Sequence, residues 1–332
     1  MRTPLAIITL SLAALLAGCQ ALPVKVLAKA MDNAQTEENV KYLRQYADEH
    51  IRQEITVQAN RAYGELPSQR LDVVYPAQHA QAKLPVVFLV HGGGWVAGHK
   101  EAMQPYARLI ADRGLAVVNV EYTLVPKAAY PQQVQELNQA VRYVLQNAAR
   151  WPIDTGRVFL SGDSAGANIV SSNVAAVNSP EMAGQLALSP ALAAPQIKGL
   201  VLHSGVYDVK VLYHAADKAG AIMSWGTHSV LAQYSGERQP SDATLDRMSA
   251  YPWLNTHFPP VYISASEADT LTKTQTLPLI ERLKQLNVPV TAQIYPLSYR
   301  EAINHDFNFN MRFDGSREVF DQSMKFLAQH AR

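Results

Sequence analysis

Gly162-Asp163-Ser164-Ala165-Gly166 is the stretch on which the fold turns. It directly follows an apolar run, Val158 to Ser161, and precedes a helical stretch beginning near Ala167, the strand–turn–helix setting that the pattern G-x-S-x-G requires. A serine presented in this way sits in a strained turn, where side chains at the flanking positions would clash with the neighbouring strand and helix. Gly162 and Gly166 remove that clash. Taken alone, the five residues could equally be a glycine-bearing turn whose serine caps a helix.

His91-Gly92-Gly93-Gly94-Trp95 changes the balance, because it begins at the end of another apolar run, Val86 to Val90. Glycines there let the amides of Gly92 and Gly93 face inward where negative charge develops on an attacked carbonyl oxygen, and Ala165 after the serine supplies a third donor. A phosphate cradle is the rival reading of such a loop. The chain has neither G-K-[ST] nor G-x-G-x-x-G with a following acidic ribose ligand, so nucleotide binding is not expected. His91 precedes the serine in chain order and is read as structural.

A nucleophile of this type is followed along the chain by an acid and then a histidine, each at the carboxyl end of a later strand. Asp269 lies beyond the apolar run Val261 to Ala265, and His305 lies beyond Val290 to Tyr295. Ser164, Asp269 and His305 are therefore the expected triad: His305 takes the proton of Ser164, and Asp269 fixes the tautomer and stabilises the imidazolium. Asp208 and Glu267 are the alternative acids, with Asp269 preferred. Activity should rise through the His305 titration, near pH ~6.5 if nothing perturbs it. No H-E-x-x-H, no histidine pair with ligand spacing and no cluster of neighbouring carboxylates is present, so a catalytic metal is not expected. His203, His214, His228 and His257 either line a pocket or are satisfied by hydrogen bonds.

Working outward, short apolar runs recur at 71–76, 84–90, 116–120, 158–161, 200–202, 261–265 and 290–295, with helical stretches such as Val134 to Asn147 between them. Strands alternating with helices predict an α/β fold, a mostly parallel sheet covered on both faces with its ligands beyond the carboxyl ends of the strands. Residues 19–61 read as a charged linker or cap helix, with Val40, Leu43, Tyr46 and Ala47 on one face. Residues 62–332 read as the catalytic domain. Within it, 207–255 lacks clean periodicity and is expected to be a loop-rich cap or substrate wall with Tyr213, Trp225, Tyr234 and Trp253 along it.

The 332 residues carry 29 basic and 28 acidic groups, a net charge of +1, which offers no one-sided field for a phosphate backbone and excludes nucleic acid as an expected partner. Cys19 is the single cysteine, so no intramolecular disulfide forms. Arg2, the apolar stretch Leu5 to Leu16 and the small residues Ala17 and Gly18 make 1–18 a secretion signal too short to span a bilayer. Leu16-Ala17-Gly18-Cys19 resembles a bacterial lipobox, which implies cleavage before Cys19 and a membrane anchor on its sulfur. Gln20 after the cysteine, rather than Asp, implies the outer membrane of the cell envelope.

Over roughly Ala62 to the carboxyl terminus the sequence resembles the hormone-sensitive-lipase-like and related carboxylesterases of the α/β-hydrolase superfamily. Besides the two glycine motifs, Val118 to Pro126 is similar to the family's D-Y-R-L-A-P segment, and Asp154 to Val158 to its D-P-x-R-I segment. The strand at 71–76 and the helix at 131–147 resemble the branch that contains feruloyl-esterase-like and kynurenine-formamidase-like enzymes. The resemblance implies hydrolysis of small-molecule esters with short- to medium-chain acyl groups, or of acetylated alcohols, without a cofactor. Thr123 stands where the family has arginine, and Lys127 where Glu is common. The usual H-G-F is His305-Asp306-Phe307, so Asp306 is placed to perturb the histidine or to shape the leaving-group side. Two other readings stay open at this point: an arylformamidase-type amide hydrolase, and a non-catalytic lipoprotein that keeps the fold for binding.

Overall fold

The computed structural model describes Lys29, residues 37–218 and residues 220–332; the expected signal segment 1–18 and Cys19 lie outside the described residues. One eight-stranded sheet organises the chain, in the order β1-β2-β4-β3-β5-β6-β7-β8. Its strands are β1 (Ile55–Ala62), β2 (Arg70–Pro76), β3 (Leu84–Val90), β4 (Ala116–Val120), β5 (Ile153–Asp163), β6 (Ile197–His203), β7 (Val261–Ser266) and β8 (Val290–Tyr295). β2 runs antiparallel to both β1 and β4, and every pairing from β4 through β8 is parallel.

Alternation along the strands splits the interior into two layers. Val86, Phe88 and Val90 of β3 face a core shared with α3 (Gln132–Gln146) and α4 (Ser164–Asn178), whereas Val87 and Leu89 face a second core shared with α1 (Glu37–His50), α2 (Lys100–Asp112) and the carboxyl-terminal helix 314–330. Both faces are thus covered, which is why β4 is buried at every position and reads as an unbroken apolar run.

Two expectations are corrected. The first concerns the boundary at residue 62: β1 begins at Ile55, so the sheet starts inside the segment expected to be linker or cap. β1 is an edge strand with an irregular register between Gln58 and Arg61, with Gln58 and Arg61 half-buried and Asn60 exposed. An edge strand of that composition shows no apolar run to read.

The second concerns 207–255, which is helical rather than loop-rich: α5 (Val209–Ala216), α6 (Ala221–Ser235) and α7 (Asp242–Arg247). Val209, Leu231, Tyr234, Leu245 and Met248 are buried in the core that also holds α3 and α4. The segment therefore packs as core on that face. α5 and α7 are short, and α6, closed by Gly236 in the left-handed region, exposes Ile222, Met223 and Trp225 while it buries Val230, Leu231 and Tyr234, so no helical period develops.

α1 does lie over the site. Leu43 and Ala47 are fully buried on its inner face, and burying a leucine side chain contributes about 1.5–3 kcal/mol. Its surface ion pairs, Asp48 with Arg108 at 3.0 Å and Glu38 with Arg312 at 2.9 Å, are exposed and together contribute less.

Candidate active site

Ser164 opens α4 directly after β5, in the left-handed region at φ 48°. The turn closes only because of its glycines. A Cβ on Gly162 would lie 2.5 Å from the carbonyl carbon of Gly166, and one on Gly166 would lie 2.2 Å from the Val90 carbonyl oxygen. Overpacking costs roughly 1–3 kcal/mol even where side chains can yield, and here the opposing atoms are backbone. Gly166→Val is expected to destabilise the fold by about 3 kcal/mol or more in urea unfolding, while Gly184→Ala, with open space around it, should leave the midpoint unchanged. Equal midpoints would contradict this account of the turn.

The loops after β7 and β8 bring Asp269 and His305 to the serine. Asp269 Oδ2 lies 2.8 Å from His305 Nδ1, and His305 Nε2 lies 3.0 Å from Ser164 Oγ. A carboxylate only accepts, so Nδ1 carries a proton and, in the neutral ring, Nε2 presents its lone pair to the serine hydroxyl. Asp269 is 3% exposed, and its other oxygen accepts from the Leu271 amide at 2.9 Å. Asp208, the rival acid, instead accepts from the Val211 amide at the start of α5.

A second carboxylate reaches the same imidazole: Asp306 Oδ2 is 3.2 Å from Nε2. Burial pushes the His305 pKa down, but Asp306 and Asp269 outweigh it and hold the imidazole well above its usual range. The onset expected near pH ~6.5 for an unperturbed histidine therefore moves to higher pH.

Among the expected oxyanion donors, Gly92 is corrected. Its amide donates to both carboxyl oxygens of Asp163 at 3.0 Å and has no further proton to offer. The amides of Gly93 and Gly94, at φ 107° and 57°, make no hydrogen bond among the described residues. The Ala165 amide lies in the first turn of α4, where an amide has no acceptor within its own helix.

Asp163, the variable residue of the serine motif, thus ties the turn at Ser164 to the glycine loop, a contact the motif alone did not disclose. Burial, and then the neighbouring Asp306, push its carboxyl well above the usual carboxylate range. His91 is structural in the way its position implied. Its Nε2 donates to Glu121 at 2.9 Å and its ring stacks on Tyr122 at 4.3 Å. Glu121 also accepts from the Lys100 amide, so the loop, the exit of β4 and the start of α2 are pinned together. Burial lowers the His91 pKa, yet Glu121 leaves it raised overall. His203 is buried against Ser264 at 2.7 Å, and burial alone takes its pKa down to about 3.

Ser164 and His305 open into a cavity of about 360 Å³ whose apolar wall includes Val40 and Leu43 of α1, Met103 of α2 and Phe309. No residue of 207–255 lines it.

Comparison with known proteins agrees with this architecture. The BD-FAE family model matches residues 71–283, well over half of the 332 residues. Among curated proteins, the chain is 36% identical over 107 residues to a probable isoprenylcysteine alpha-carbonyl methylesterase of Oryza sativa subsp. japonica, covering 32% of this chain and 25% of that one. To the isoprenylcysteine alpha-carbonyl methylesterase of Arabidopsis thaliana it is 29% identical over 153 residues, covering 46% and 35%. The chain thus matches well under half the length of these relatives. Among solved structures, an inhibited esterase B from Lactobacillus rhamnosis superposes with a TM-score of 0.76 at 22% identity, covering 92% of this chain and 97% of that one. The fold is that of the α/β-hydrolases.

Proposed function

We propose that this chain, which belongs to the BD-FAE family, hydrolyses carboxylic esters with Ser164 as nucleophile, His305 as general base and Asp269 as the group that orients it. The observation that carries the reading is the unbroken chain from Asp269 through His305 to Ser164, at 2.8 and 3.0 Å. Ser164 Oγ attacks the ester carbonyl as its proton passes to Nε2. The amides of Gly93, Gly94 and Ala165 stabilise the oxyanion, the alcohol leaves with the proton from Nε2, and water releases the acid from the acyl-serine by the same steps.

The cavity supports a substrate of short or medium acyl chain, since its wall is aliphatic and aromatic and its volume is about 360 Å³. A p-nitrophenyl ester series from acetate to palmitate tests this, with a methyl ester added because two relatives are named as methylesterases. kcat/KM should peak at or below medium chains and fall steeply for the longest. A rate that keeps rising to palmitate would contradict the cavity's role.

Because only neutral His305 accepts the serine proton, kcat/KM should rise with pH and reach half its plateau above the ordinary histidine range of ~6.5. The sign for stability is opposite. A raised folded-state pKa favours the folded chain below the unfolded value, and that contribution is lost as pH rises through the folded one. A half-maximum below the ordinary range would contradict the two-carboxylate geometry.

The site is further proposed to work at a membrane surface, tethered through acyl chains on Cys19, on the strength of Leu16-Ala17-Gly18-Cys19. Incorporation of a labelled fatty acid into the wild type but not into Cys19→Ser tests it, and equal labelling would remove the anchor.

A further inference from the structure

Position 306 is built for a residue without a side chain. Its backbone lies in the left-handed region at φ 52°, ψ 26°, and its amide donates to the Ser204 hydroxyl at 3.3 Å. Glycine adopts that conformation freely, and Asp or Asn more readily than other residues. The chain nevertheless places a carboxyl there. Asp306 Oδ2 lies 3.2 Å from His305 Nε2, the same atom that lies 3.0 Å from Ser164 Oγ. Asp306 Oδ1 is buried without a hydrogen-bond partner among the described residues, so no side-chain anchor explains the carboxyl as a structural device. Its interaction is with the histidine.

We propose, on the esterase reading above, that Asp306 is a positioning residue whose carboxylate competes with Ser164 for the Nε2 proton and steadies the imidazolium formed when Ser164 is deprotonated. In the resting site the Nε2 proton is shared toward Asp306. Once that proton is lost, the serine hydroxyl can donate to Nε2, its oxygen bonds to the acyl carbon, and the carbonyl electron pair moves onto oxygen. The new Nε2 proton then goes to the departing alkoxide. Asp306 is neither consumed nor protonated in this sequence.

Two effects of opposite sign follow. A carboxylate at Nε2 makes His305 harder to deprotonate, which delays activity as pH rises. The same charge stabilises the imidazolium in the transition state, which speeds the step once the base is free. The other titratable groups of the site are Asp269 on Nδ1, Asp163 at the end of β5, which interacts with both His305 and His91, and Tyr207 after β6, which interacts with Asp269 and Asp306. Burial opposes the charge on His305, and Asp306 with Asp269 overcomes it. Removing the Asp306 carboxylate should leave Asp269 as the main support.

The test is a pair of measurements on the full chain in detergent, comparing wild type with Asp306→Asn, which tolerates the left-handed backbone, and with Asp306→Glu as the conservative rescue. NMR titration of carbon-13-labelled histidine, with the His305 signal assigned from His305→Gln, should place the wild-type midpoint above the ordinary range and Asp306→Asn lower by about 1–3 pH units. Asp306→Glu should lie between them. In kcat/KM against pH, the Asp306→Asn curve should be higher on the acid side and severalfold lower on the alkaline plateau, so that the two curves cross. A purely structural role would scale the curve without moving its midpoint. Coincident His305 midpoints would overturn the proposal. If wild type hydrolysed no ester, the esterase reading would fail while the NMR midpoints still decided the role of Asp306.

Discussion

Ser164→Ala is expected to lower kcat for p-nitrophenyl butyrate by about 10⁶-fold, the scale seen when a triad nucleophile is removed, while the unfolding midpoint moves little. The serine is 7% exposed, lines the cavity and makes its side-chain hydrogen bond to His305. Alanine fills nearly the same space in the same backbone, so the packing of α4 against β3 survives. What disappears is the only hydroxyl within reach of Nε2 at 3.0 Å among the described residues. Hydrolysis by the variant at more than about 1% of the wild-type rate would mean that another group performs the attack, since a bound but unactivated water gives far less.

Asp269→Asn is expected to cost about 10⁴-fold in kcat, and Asp208→Asn almost nothing. An asparagine that presents its amide to Nδ1 reverses the tautomer. The ring then carries its proton on Nε2 and cannot take one from Ser164. Asp208 serves another element, accepting from Val211 to cap α5, and because asparagine keeps a capping oxygen, Asp208→Asn should leave the stability of that helix nearly unchanged, whereas Asp208→Ala should cost about 1 kcal/mol. Kinetics of the two variants at one pH, with urea unfolding beside them, separate the acids. A larger kinetic loss for Asp208→Asn would reverse the assignment.

The features legible in the sequence were those that local chemistry dictates. Buried parallel strands such as Val86 to Val90 must be apolar on both faces, and they stand out for that reason. The turn at Ser164 must have glycines, because a Cβ at Gly166 would meet the backbone of β3. What stayed hidden depends on contacts between distant segments. β1 carries polar residues at an edge, where no alternation is required of it. Leu43 and Val40 gave a helical face but no partner, and only the fold brings that face over the serine. Gly92 was indistinguishable from its two neighbours until Asp163, 71 residues further on, took its amide. For Asp306 the signal was present, a carboxyl where the resembling family has glycine. Its meaning needed the 3.2 Å distance to Nε2.

The measurement that tests the central claim most directly is the site of covalent trapping. A p-nitrophenyl alkylphosphonate with a butyl chain is attacked at phosphorus by the activated serine oxygen, and p-nitrophenolate leaves. The account predicts release of about one equivalent of p-nitrophenolate per chain, as expected for a single nucleophile. It also predicts a phosphonyl group on the peptide that contains Ser164, neither of which should occur with Ser164→Ala. An adduct on a different residue, or ester hydrolysis that continues undiminished in a chain fully phosphonylated at Ser164, would contradict it.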